Sequence, residues 1–429
     1  MNYQEVLDYM YGSLPMFHRV GAAALKPGLE NTIALCKAVG NPHHNFKTIH
    51  IAGTNGKGSS SHMLSAILQS AGYKTGLYTS PHLKNFTERI KINGQEIEEA
   101  FVTTFVNQHL DDFEIVKPSF FEMTVALAFK YFEMQQVDIA VIEVGLGGRL
   151  DSTNIITPEA CLITNISWDH QALLGNTLLK IASEKAGIIK PNIPVVISES
   201  QTELVDYFQD FANKRNAPIT FADQHWEIKN AHFHADFLEI DIYENDHLAF
   251  PKLRCELTGQ YQLRNILGVL EMCKQLSKIG FTISKNHIQQ GLEHTIALTN
   301  LKGRWQILQN NPRVICDVAH NEAGIQQVIV QLSSLTYDRL YWVFGAVSDK
   351  DIDKILGLLP KDCYYYFCQA QIPRALEVSE LYETAMKHHL KGEVIKDVKE
   401  ALQKAISLAH SEDLVMVGGS TFVVAEVVE

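Results

Sequence analysis

Short apolar runs rich in β-branched residues alternate with longer segments of helical period through much of this 429-residue chain. Within residues 48–221 the apolar runs read IHIA, IAVIEV, CLITNI and PVVIS. Strands of a parallel sheet are buried on both faces and joined by crossover helices, so this alternation predicts an α/β fold with a mainly parallel sheet. Residues 224–251 instead alternate apolar and polar side chains, which predicts a small antiparallel excursion on the surface.

A second pattern of the same kind follows a break at residues 297–302. Beyond the break, the runs RVICDV, RLYWVFGAV, CYYYFC and LVMVGG alternate with helical segments. One hydrophobic core rarely serves more than about 250–300 residues. We therefore predict two α/β domains, residues 1–297 and the smaller, Rossmann-like residues 298–429. Ligands of such sheets gather at the carboxyl ends of the strands, so the cleft between the domains is the expected reaction site.

The charge balance and the cysteines limit the function classes. A net charge of -12 and a pI near 5.8 argue against a nucleic-acid or anionic-membrane surface, which needs a clustered positive field. The N-terminal MNYQEVLD lacks the basic start and apolar stretch of a secretory signal, and no apolar run approaches membrane-spanning length. Seven scattered cysteines without a CxxC pair suggest reduced packing residues. We expect a cytoplasmic protein that binds neither nucleic acid nor membrane.

The glycine-rich segment HIAGTNGKGSS follows an apolar strand and opens a helix. Glycines allow backbone N–H groups to face a phosphate, Lys57 can reach the β- and γ-oxygens, and Ser59 can meet Mg²⁺. The alternative, a turn that merely starts a helix, is disfavoured because strand, loop, lysine and helix all agree, although Gly58 is inserted between Lys57 and Ser59. We predict a P-loop ATPase-type first domain. Its predicted nucleotide-binding residues are Asn55, Gly56, Lys57, Gly58, Ser59 and Ser60.

A predicted metal ligand ends the apolar run DIAVIEV, just before the turn GLGGR. This residue, Glu143, offers the charged oxygen that a nucleotide-bound Mg²⁺ prefers. The alternative is a solvated glutamate at a strand end, which is less compatible with its place in an apolar run.

The loop sequence GTNGKGS resembles that of the Mur ligase superfamily, to which the folylpolyglutamate and dihydrofolate synthases belong. Further resemblances to these synthases follow in order: YTSPH, NISWDH, SEKAGIIKP, GQYQLRN, GRWQ and DVAHN. On these motifs the chain is identified as a member of the folylpolyglutamate synthase family. The resemblance implies an ATP- and Mg²⁺-dependent ligase that joins L-glutamate to a folate carboxylate through an acyl phosphate.

The resemblance also implies a metal shell. Ser80 and His170 would complete the Mg²⁺ coordination begun by Glu143, although Mg²⁺ ordinarily prefers oxygen ligands to imidazole. Lys185 matches a lysine that is carbamylated in the family and supports catalysis. Without the match, Lys185 would be interpreted as an ordinary surface lysine of a helix.

Nucleotide contacts from the second half of the chain are implied in the same way. Asn265 matches an asparagine that contacts the nucleotide, Arg304 an arginine that reaches the phosphates, and Asp317 a nucleotide-binding aspartate. His320 is predicted to lie near the incoming amine, where it could take a proton or hold glutamate.

The sequence departs from the family pattern at two of these motifs. Gln306 stands where the family has glutamate, and Val318 stands where it has glycine.

Substrate-binding residues are implied for both substrates. Phe121 would stack on the pterin, Glu122 belongs to the same element, and Arg89 would meet the folate carboxylates. Arg374 and Ser420 would line the glutamate pocket. Core packing is the alternative for Phe121, and ordinary loop polarity for Arg374 and Ser420.

The acceptor and the reaction class leave alternatives open. The loop VGAAALKPGLENT at residues 20–32 resembles loops of family members with and without activity on dihydropteroate, so dihydrofolate synthase activity stays open. A muramyl-peptide ligase would carry a UDP-binding domain ahead of the phosphate loop. A P-loop kinase or NTPase would leave DVAHN unexplained, and a binding module without catalysis is less probable still. We expect small-molecule substrates and a monomer.

Overall fold

The computed structural model describes residues 1–16, 28–348 and 350–428. Contacts between Cα atoms divide the chain into two compact units. The first unit comprises Met1–Ser167 and Gln171–Leu301, and the second comprises Trp168–His170 and Lys302–Glu429. A three-residue segment from the first half of the sequence therefore belongs to the second unit.

In the described residues of the first unit, eight strands form one sheet in the order β4-β3-β2-β5-β1-β6-β7-β8. The strands are β1 Lys47–Ala52, β2 Thr75–Tyr78, β3 Ile90–Ile92, β4 Gln95–Glu96, β5 Ile139–Glu143, β6 Ala160–Ile163, β7 Val195–Ile197 and β8 Ile219–Phe221. All adjacent pairs are parallel except β2–β3 and β3–β4, which are antiparallel. The predicted mainly parallel α/β fold is confirmed.

A separate antiparallel sheet forms where the alternating pattern predicted one. It contains β9 Trp226–Phe233, β10 Leu238–Glu244 and β11 His247–Cys255. One face of it is buried in the main core, because Leu238, Ile240 and Ile242 are fully covered. The sheet is therefore part of the core as well as of the surface.

Helices cover both faces of the eight-stranded sheet. They are α1 Tyr3–Ser13, α2 Glu30–Ala38, α3 Lys57–Ser70, α4 Glu99–Gln108, α5 Leu110–Val116, α6 Phe120–Met134, α7 Gln171–Leu174, α8 Leu178–Ala186, α9 Val205–Asn213, α10 Gln262–Lys278, α11 Lys285–Glu293 and α12 Thr295–Thr299. Ile49 and Ile51 of β1 pack with α3 in one apolar cluster, while Ile142 of β5 packs with α6 in another. Burial on both faces explains why these strands are continuous apolar runs.

The second unit is a smaller α/β layer. In its described residues the strand order is β12-β13-β17-β14-β15-β16, parallel except for β12–β13. Its elements are β12 Gln306–Asn310, β13 Arg313–Asp317, α13 Glu322–Ser333, β14 Leu340–Phe344, α14 Ile352–Leu358, β15 Tyr364–Phe367, α15 Val378–Lys387, β16 Lys391–Val394, α16 Val398–Leu408, β17 Leu414–Gly418 and α17 Thr421–Ala425. The apolar run RVICDV predicted β13 as the first strand of this unit, and no pattern predicted the half-buried edge strand β12.

All seven cysteines are free thiols and buried, as expected of packing residues. Burial raises the pKa of the Cys36, Cys161 and Cys255 thiols to about 12, so these sulfurs stay protonated. Among the described residues, no helix combines the length and apolar character needed to cross a membrane.

Candidate active site

The phosphate loop, residues 53–60, lies at the carboxyl edge of the eight-stranded sheet. It leaves β1, which pairs with β5 on one side and β6 on the other. The register places Ile51 opposite Glu143 and Ala52 opposite Ile163. The loop, the predicted metal ligand and the residues after β6 therefore share one edge, where ligands of open α/β sheets bind.

The segment after β6 fixes the start of the loop. Gly53 has φ +148°, and a Cβ atom there would lie 1.8 Å from Thr164 Oγ1, so only glycine fits. Asn55 N donates to Asn165 Oδ1 at 3.0 Å, and Thr54 N donates to the Asn165 carbonyl at 2.9 Å. NISWDH, noted only for its final histidine, thus also supports the loop backbone.

Two predicted catalytic lysines converge on one carbonyl oxygen. Lys57 Nζ donates to Gly53 O at 3.0 Å and to Thr54 O at 3.1 Å. Lys185 Nζ, from α8, donates to Gly53 O at 2.9 Å, and the residue is only 3% exposed. Lys185 is therefore no surface lysine of the kind weighed as the alternative, because its ammonium lies at the phosphate loop.

The start of α10 braces the other side of the loop. Gln262 Nε2 donates to Ser59 Oγ at 3.1 Å, and Asn265 Nδ2 donates to Gln262 Oε1 at 2.8 Å. Gly56 has φ +88°, and a Cβ atom there would lie 2.2 Å from Asn265 Oδ1. The predicted nucleotide residue Asn265 is thus in place beside the loop rather than an exposed amide.

The remaining predicted loop residues lie at the start of α3. Gly58, Ser59 and Ser60 are buried in its first turn. Among the described residues, Ser60 Oγ has no hydrogen-bond partner. A buried hydroxyl of this kind fits a site that accepts an additional polar group.

A series of buried hydrogen bonds between polar side chains lies beneath the loop. Thr153 Oγ1 donates to Asp151 Oδ1 at 2.5 Å and, having one hydrogen, must accept from His50 Nε2 at 2.8 Å. Burial, with the Lys190 charge as a smaller cause, lowers the pKa of His50 to about 3. Burial also raises the pKa of Asp151, which accepts from the Leu146 N–H at 2.8 Å. These hydrogen bonds connect β1 to the turn after Glu143.

Two of the predicted metal ligands are in contact. Glu143 is 4% exposed, and its Oε2 accepts from the Ser80 N–H at 3.0 Å. His170, the third, belongs to the second unit. In the described part of the chain, His, Cys, Asp and Glu side chains form no group of three or more able to hold a metal ion.

Of the predicted folate residues, Arg89 is buried and Phe121 is half-buried. Arg89 is 3% exposed, and its Nε donates to His82 Nδ1 at 2.7 Å while its guanidinium lies 5.3 Å from the centre of the Phe120 ring. Burial lowers the pKa of Arg89. Phe121 lies against Gly145, where an added Cβ would be 2.4 Å from the ring.

Glu122 has a structural function that the sequence analysis did not recognise. It is 3% exposed, and with Ser119 it forms the capping box of α6. Glu122 Oε2 accepts from Ser119 N at 2.6 Å, and Glu122 N donates to Ser119 Oγ at 3.3 Å. The spacing S-x-x-E was the available signal. Its predicted contact with substrate stays a prediction.

In the second unit, Asp317 ends β13 and organises the chain around it. Its Oδ2 accepts from Trp305 N and its Oδ1 from Ala319 N, both at 2.8 Å. Arg304 lies next to this turn and is half-buried. Asp317 therefore already has two backbone partners, and its predicted contact with nucleotide stays a prediction.

Charged and polar side chains gather around Asp169 in the second unit. We call Asp169, His170, His320, Asn321 and Lys350 the Asp169 cluster. Lys350 Nζ is 2.5 Å from Asp169 Oδ1, and Asn321 Nδ2 donates to Oδ2 at 3.1 Å. The Nε2 atoms of His170 and His320 each lie 3.8 Å from Oδ2.

Burial opposes ionisation of Asp169, but these neighbours outweigh it. The charges of His170 and His320, when these rings are protonated, and the charge and hydrogen bond of Lys350 hold the pKa of the carboxyl well below its ordinary range. Asp169 is thus a carboxylate in the folded protein. The motifs NISWDH and DVAHN contain Asp169 and Asn321, but neither residue was given a function from the sequence, and Lys350 was given none either.

The predicted glutamate-pocket residues lie at loops of the second unit. The Arg374 carbonyl accepts from Ser348 N at 3.0 Å. Ser420 is 2% exposed and caps α17, because Phe422 N donates to its Oγ at 3.1 Å. Most of the loop at residues 20–32 and Asp349 lie outside the described residues.

Two family models match the chain in the places that the geometry singles out. A model described as "Mur ligase middle domain" matches residues 51–273, and one described as "Mur ligase, glutamate ligase domain" matches residues 303–421. A Bacillus subtilis protein named dihydrofolate synthase/folylpolyglutamate synthase is 31% identical over 99% of this chain and 98% of its own length. The chain belongs to the folylpolyglutamate synthase/dihydrofolate synthase family of Mur ligases.

The family assignment made from the motifs is confirmed. The structure also resembles Escherichia coli FolC, solved in complex with DHPP and ADP, with a TM-score of 0.85, 29% identity and coverage of 100% of this chain and 97% of that one. A Haloferax volcanii protein, named a probable bifunctional folylpolyglutamate synthase/dihydropteroate synthase, is 31% identical over 99% of this chain. The chain spans 50% of that relative's length.

Proposed function

We propose that this chain is an ATP-dependent ligase that adds L-glutamate to the γ-carboxylate of a reduced folate through an acyl phosphate. One observation carries the proposal: a phosphate loop held by two lysines and a Mur glutamate ligase domain occur in one chain. A kinase or regulatory NTPase needs only the first of these. The names of the relatives, which cover nearly the whole chain, support folate as the acceptor.

The nucleotide is proposed to be ATP, bound at the phosphate loop. The ADP complex of the similar E. coli protein supports this choice. Backbone N–H groups of the loop and the N-terminus of α3 would face the phosphates. Lys57 and Arg304 are proposed to neutralise the charge that spreads over the transferring phosphoryl group.

Magnesium is proposed as the metal ion. The side chains present near the loop fit it, because the Glu143 carboxylate and the Ser59 and Ser80 hydroxyls are the hard oxygen donors it prefers. When bound, Mg²⁺ supplies positive charge to the phosphate oxygens. His170 as a further ligand rests on the family resemblance.

Carbamylation of Lys185 is proposed from the same resemblance. The unmodified ammonium donates to Gly53 O, whereas a carbamate would present oxygen acceptors at the same buried position. An intact-mass measurement at high bicarbonate, compared with a Lys185→Met variant, tests this directly. A gain of one carbamate that Lys185→Met does not show supports the modification.

The reaction then needs no enzyme nucleophile. A folate carboxylate oxygen attacks the γ-phosphorus of ATP, and ADP leaves. The glutamate nitrogen attacks the acyl carbon, the amide C–N bond forms, and phosphate leaves. His320 is proposed to take the proton released by the incoming amine.

A second activity, on dihydropteroate, is also proposed. Relatives named dihydrofolate synthase/folylpolyglutamate synthase and the DHPP complex of the E. coli protein favour it. The cytoplasmic location and the monomeric state stay predictions of the sequence.

ADP release tests both activities. The assay contains ATP, Mg²⁺, L-glutamate and either a reduced folate or 7,8-dihydropteroate, and product mass is measured. We expect ligated product with the folate, and product with both acceptors if the chain is bifunctional. ADP release without an amide product would contradict the proposal and favour an NTPase. No product with either acceptor would overturn the substrate assignment.

A further inference from the structure

The Asp169 cluster joins three segments that are distant in sequence. Asp169 lies in Trp168–His170, which contacts the second unit although its chain neighbours belong to the first. Asn321 precedes α13, and Lys350 precedes α14. The side chains of Asp169 and Lys350 are only 9% and 10% exposed. Such a pair, with little solvent around it, is screened less than a surface ion pair.

The geometry fixes which nitrogen of His320 can gain a proton. Its Nδ1 lies 2.9 Å from the Val318 carbonyl oxygen. A carbonyl oxygen only accepts, so Nδ1 carries the ring hydrogen and Nε2 is the atom that takes up a proton. Nε2 is the atom that faces Asp169, at 3.8 Å from Oδ2. A proton arriving at Nε2 therefore arrives next to a carboxylate.

Lys350 has the complementary chemistry for an anionic amino acid. An ammonium group has three donor hydrogens, and the contact with Asp169 occupies one of them. The other hydrogens of the Lys350 ammonium group can bond to a substrate carboxylate while Asp169 holds the lysine side chain in place. Asp169 therefore orients two side chains. Lys350 carries the positive charge that suits a carboxylate of the amino acid, and His320 can take a proton from its amine.

We propose that Asp169 is a positioning residue for the amine-transfer half of the reaction, acting through Lys350 and His320. Lys350 meets a carboxylate of the incoming glutamate. His320 Nε2 takes one proton from its ammonium group, so that the nitrogen lone pair attacks the acyl carbon as phosphate leaves. Asp169 touches neither substrate. This inference rests on the proposed ligase function and deepens it.

Electrostatics gives the reason for a carboxylate at this position. Lys350 lies close to His320 through their shared partner, and without the negative charge the two cationic groups would repel when His320 gains its proton. A neutral amide at position 169 keeps the size of the side chain but removes this charge. The conservative change therefore isolates the charge from the packing.

Steady-state kinetics with glutamate as the varied substrate tests the inference. We expect Asp169→Asn to raise the KM for glutamate at least about tenfold, as removal of one partner from a buried ion pair does. The kcat should fall too, while the KM for ATP stays within about twofold. Asp169→Glu should recover part of the loss. An unchanged glutamate KM in Asp169→Asn would overturn the inference.

A double variant tests whether Asp169 acts through Lys350. Lys350→Met alone should raise the glutamate KM, and adding Asp169→Asn should raise it no more than about twofold further. Fully multiplicative effects on this KM would show independent roles and contradict the proposal. If Asp169→Asn fails to fold, Lys350→Met still decides, because an unchanged glutamate KM there would refute it.

A surface ion pair provides the matched control. Asp353, 72% exposed in its side chain, contacts His388 at 2.8 Å in the same unit. Asp353→Asn removes a carboxylate without touching the cluster, so all kinetic constants should remain those of the wild type. Failure of the proposed function would be distinguishable, because the wild-type chain itself would then form no amide product. A product-forming wild type with an unaffected Asp169→Asn variant would refute only the inference.

Discussion

The phosphate loop and the Asp169 cluster are built in opposite ways. The loop is a contiguous stretch of glycines and small polar residues whose backbone is fixed by Thr164, Asn165 and Asn265. The cluster consists of charged and polar side chains brought together over as many as 181 residues of sequence. A short contiguous segment can thus form a phosphate site with its own backbone, whereas the proposed site for proton transfer needs residues that only the tertiary structure brings together. We expect the two regions to fail separately when they are altered.

Replacement of Lys57 should produce the largest effect and tests this separation. Lys57→Met removes the ammonium group beside the loop, so we expect kcat/KM to fall about 10²–10³-fold, the range for loss of one group that stabilises a transition state. The KM for glutamate should change little. ADP-release kinetics measures both constants.

Lys229→Met is the control for Lys57→Met. Lys229 pairs with Glu227 at 2.8 Å on the antiparallel sheet, and its side chain is 42% exposed. This variant should behave as the wild type. Near-normal turnover in Lys57→Met would show that the lysine of the phosphate loop does not contribute to catalysis. The contrast between the loop and the Asp169 cluster would then be wrong for the loop.

Much of this contrast follows from what a sequence pattern records. Apolar alternation predicted both sheets because buried parallel strands must be apolar throughout. It missed β12, whose residues are half-buried at a sheet edge and follow no clear period. The loop was predicted with its lysine because a local motif encodes it. The pair Asp169 and Lys350 carries no local signal, since neither residue's neighbours reveal the other.

Observed contacts also add to the predicted roles of individual residues. Lys185 was weighed against a surface lysine and proves to lie at the loop, which only the packing of α8 could reveal. Glu122 was assigned to substrate on resemblance, and the structure gives it a capping bond. The capping bond of Glu122 lies within one helix turn and could be predicted from its spacing, whereas the contact of Lys185 depends on tertiary packing.

Gly53→Ala should distinguish crowding from backbone strain in the loop. A Cβ atom would meet Thr164 Oγ1 at 1.8 Å, whereas at Gly40, with φ +93°, a Cβ atom would meet nothing within 4 Å. Both variants carry the strain of a positive φ, but only Gly53→Ala adds the clash. We expect Gly53→Ala to cost about 1–3 kcal/mol more unfolding free energy than Gly40→Ala.

Calorimetric ATP titration should show the same difference. Gly53→Ala should bind ATP more weakly, because its loop N–H groups are displaced, while Gly40→Ala binds as the wild type. Equal effects of the two variants would mean that the loop adapts easily, and the view of it as a fixed backbone site would fail.

Mild acid should weaken the region beneath the loop without protonating the Asp169 carboxylate. Burial lowers the pKa of His50 from 6.5 to about 3, so the unfolded chain takes up a proton before the folded chain does. Its contribution to stability is complete above about pH 6.5 and is lost as the pH falls towards 3. Between pH 6.5 and 5 the loss should be about 2 kcal/mol.

His50→Asn removes this titration and should flatten the pH dependence. Denaturant unfolding at pH 6.5 and 5 measures it for wild type and variant. The Asp169 carboxyl, whose pKa lies well below its ordinary range, contributes no loss in this window. Equal slopes for the two proteins would show that His50 is not the neutral buried group described above.

Asn321 should give the smallest effect, because it serves both the fold and the cluster. Its Oδ1 accepts from Gly324 N at 2.8 Å as the N-cap of α13, while its Nδ2 donates to Asp169 at 3.1 Å. Asn321→Ser keeps a capping oxygen and loses the amide donor. It should retain wild-type stability within a few tenths of a kcal/mol and raise the glutamate KM about threefold. Asn321→Ala should lose about 1 kcal/mol as well.

A second helix cap separates these two roles. Asp397 caps α16 in the same unit, with Glu400 N donating to its Oδ1 at 2.9 Å, and it lies outside the cluster. Asp397→Ala should therefore lose about 1 kcal/mol of unfolding free energy with no change in the KM for glutamate. If Asn321→Ser matched the wild type in that KM, Asn321 would serve the helix alone. The Asp169 cluster would then act through its charges, without the amide.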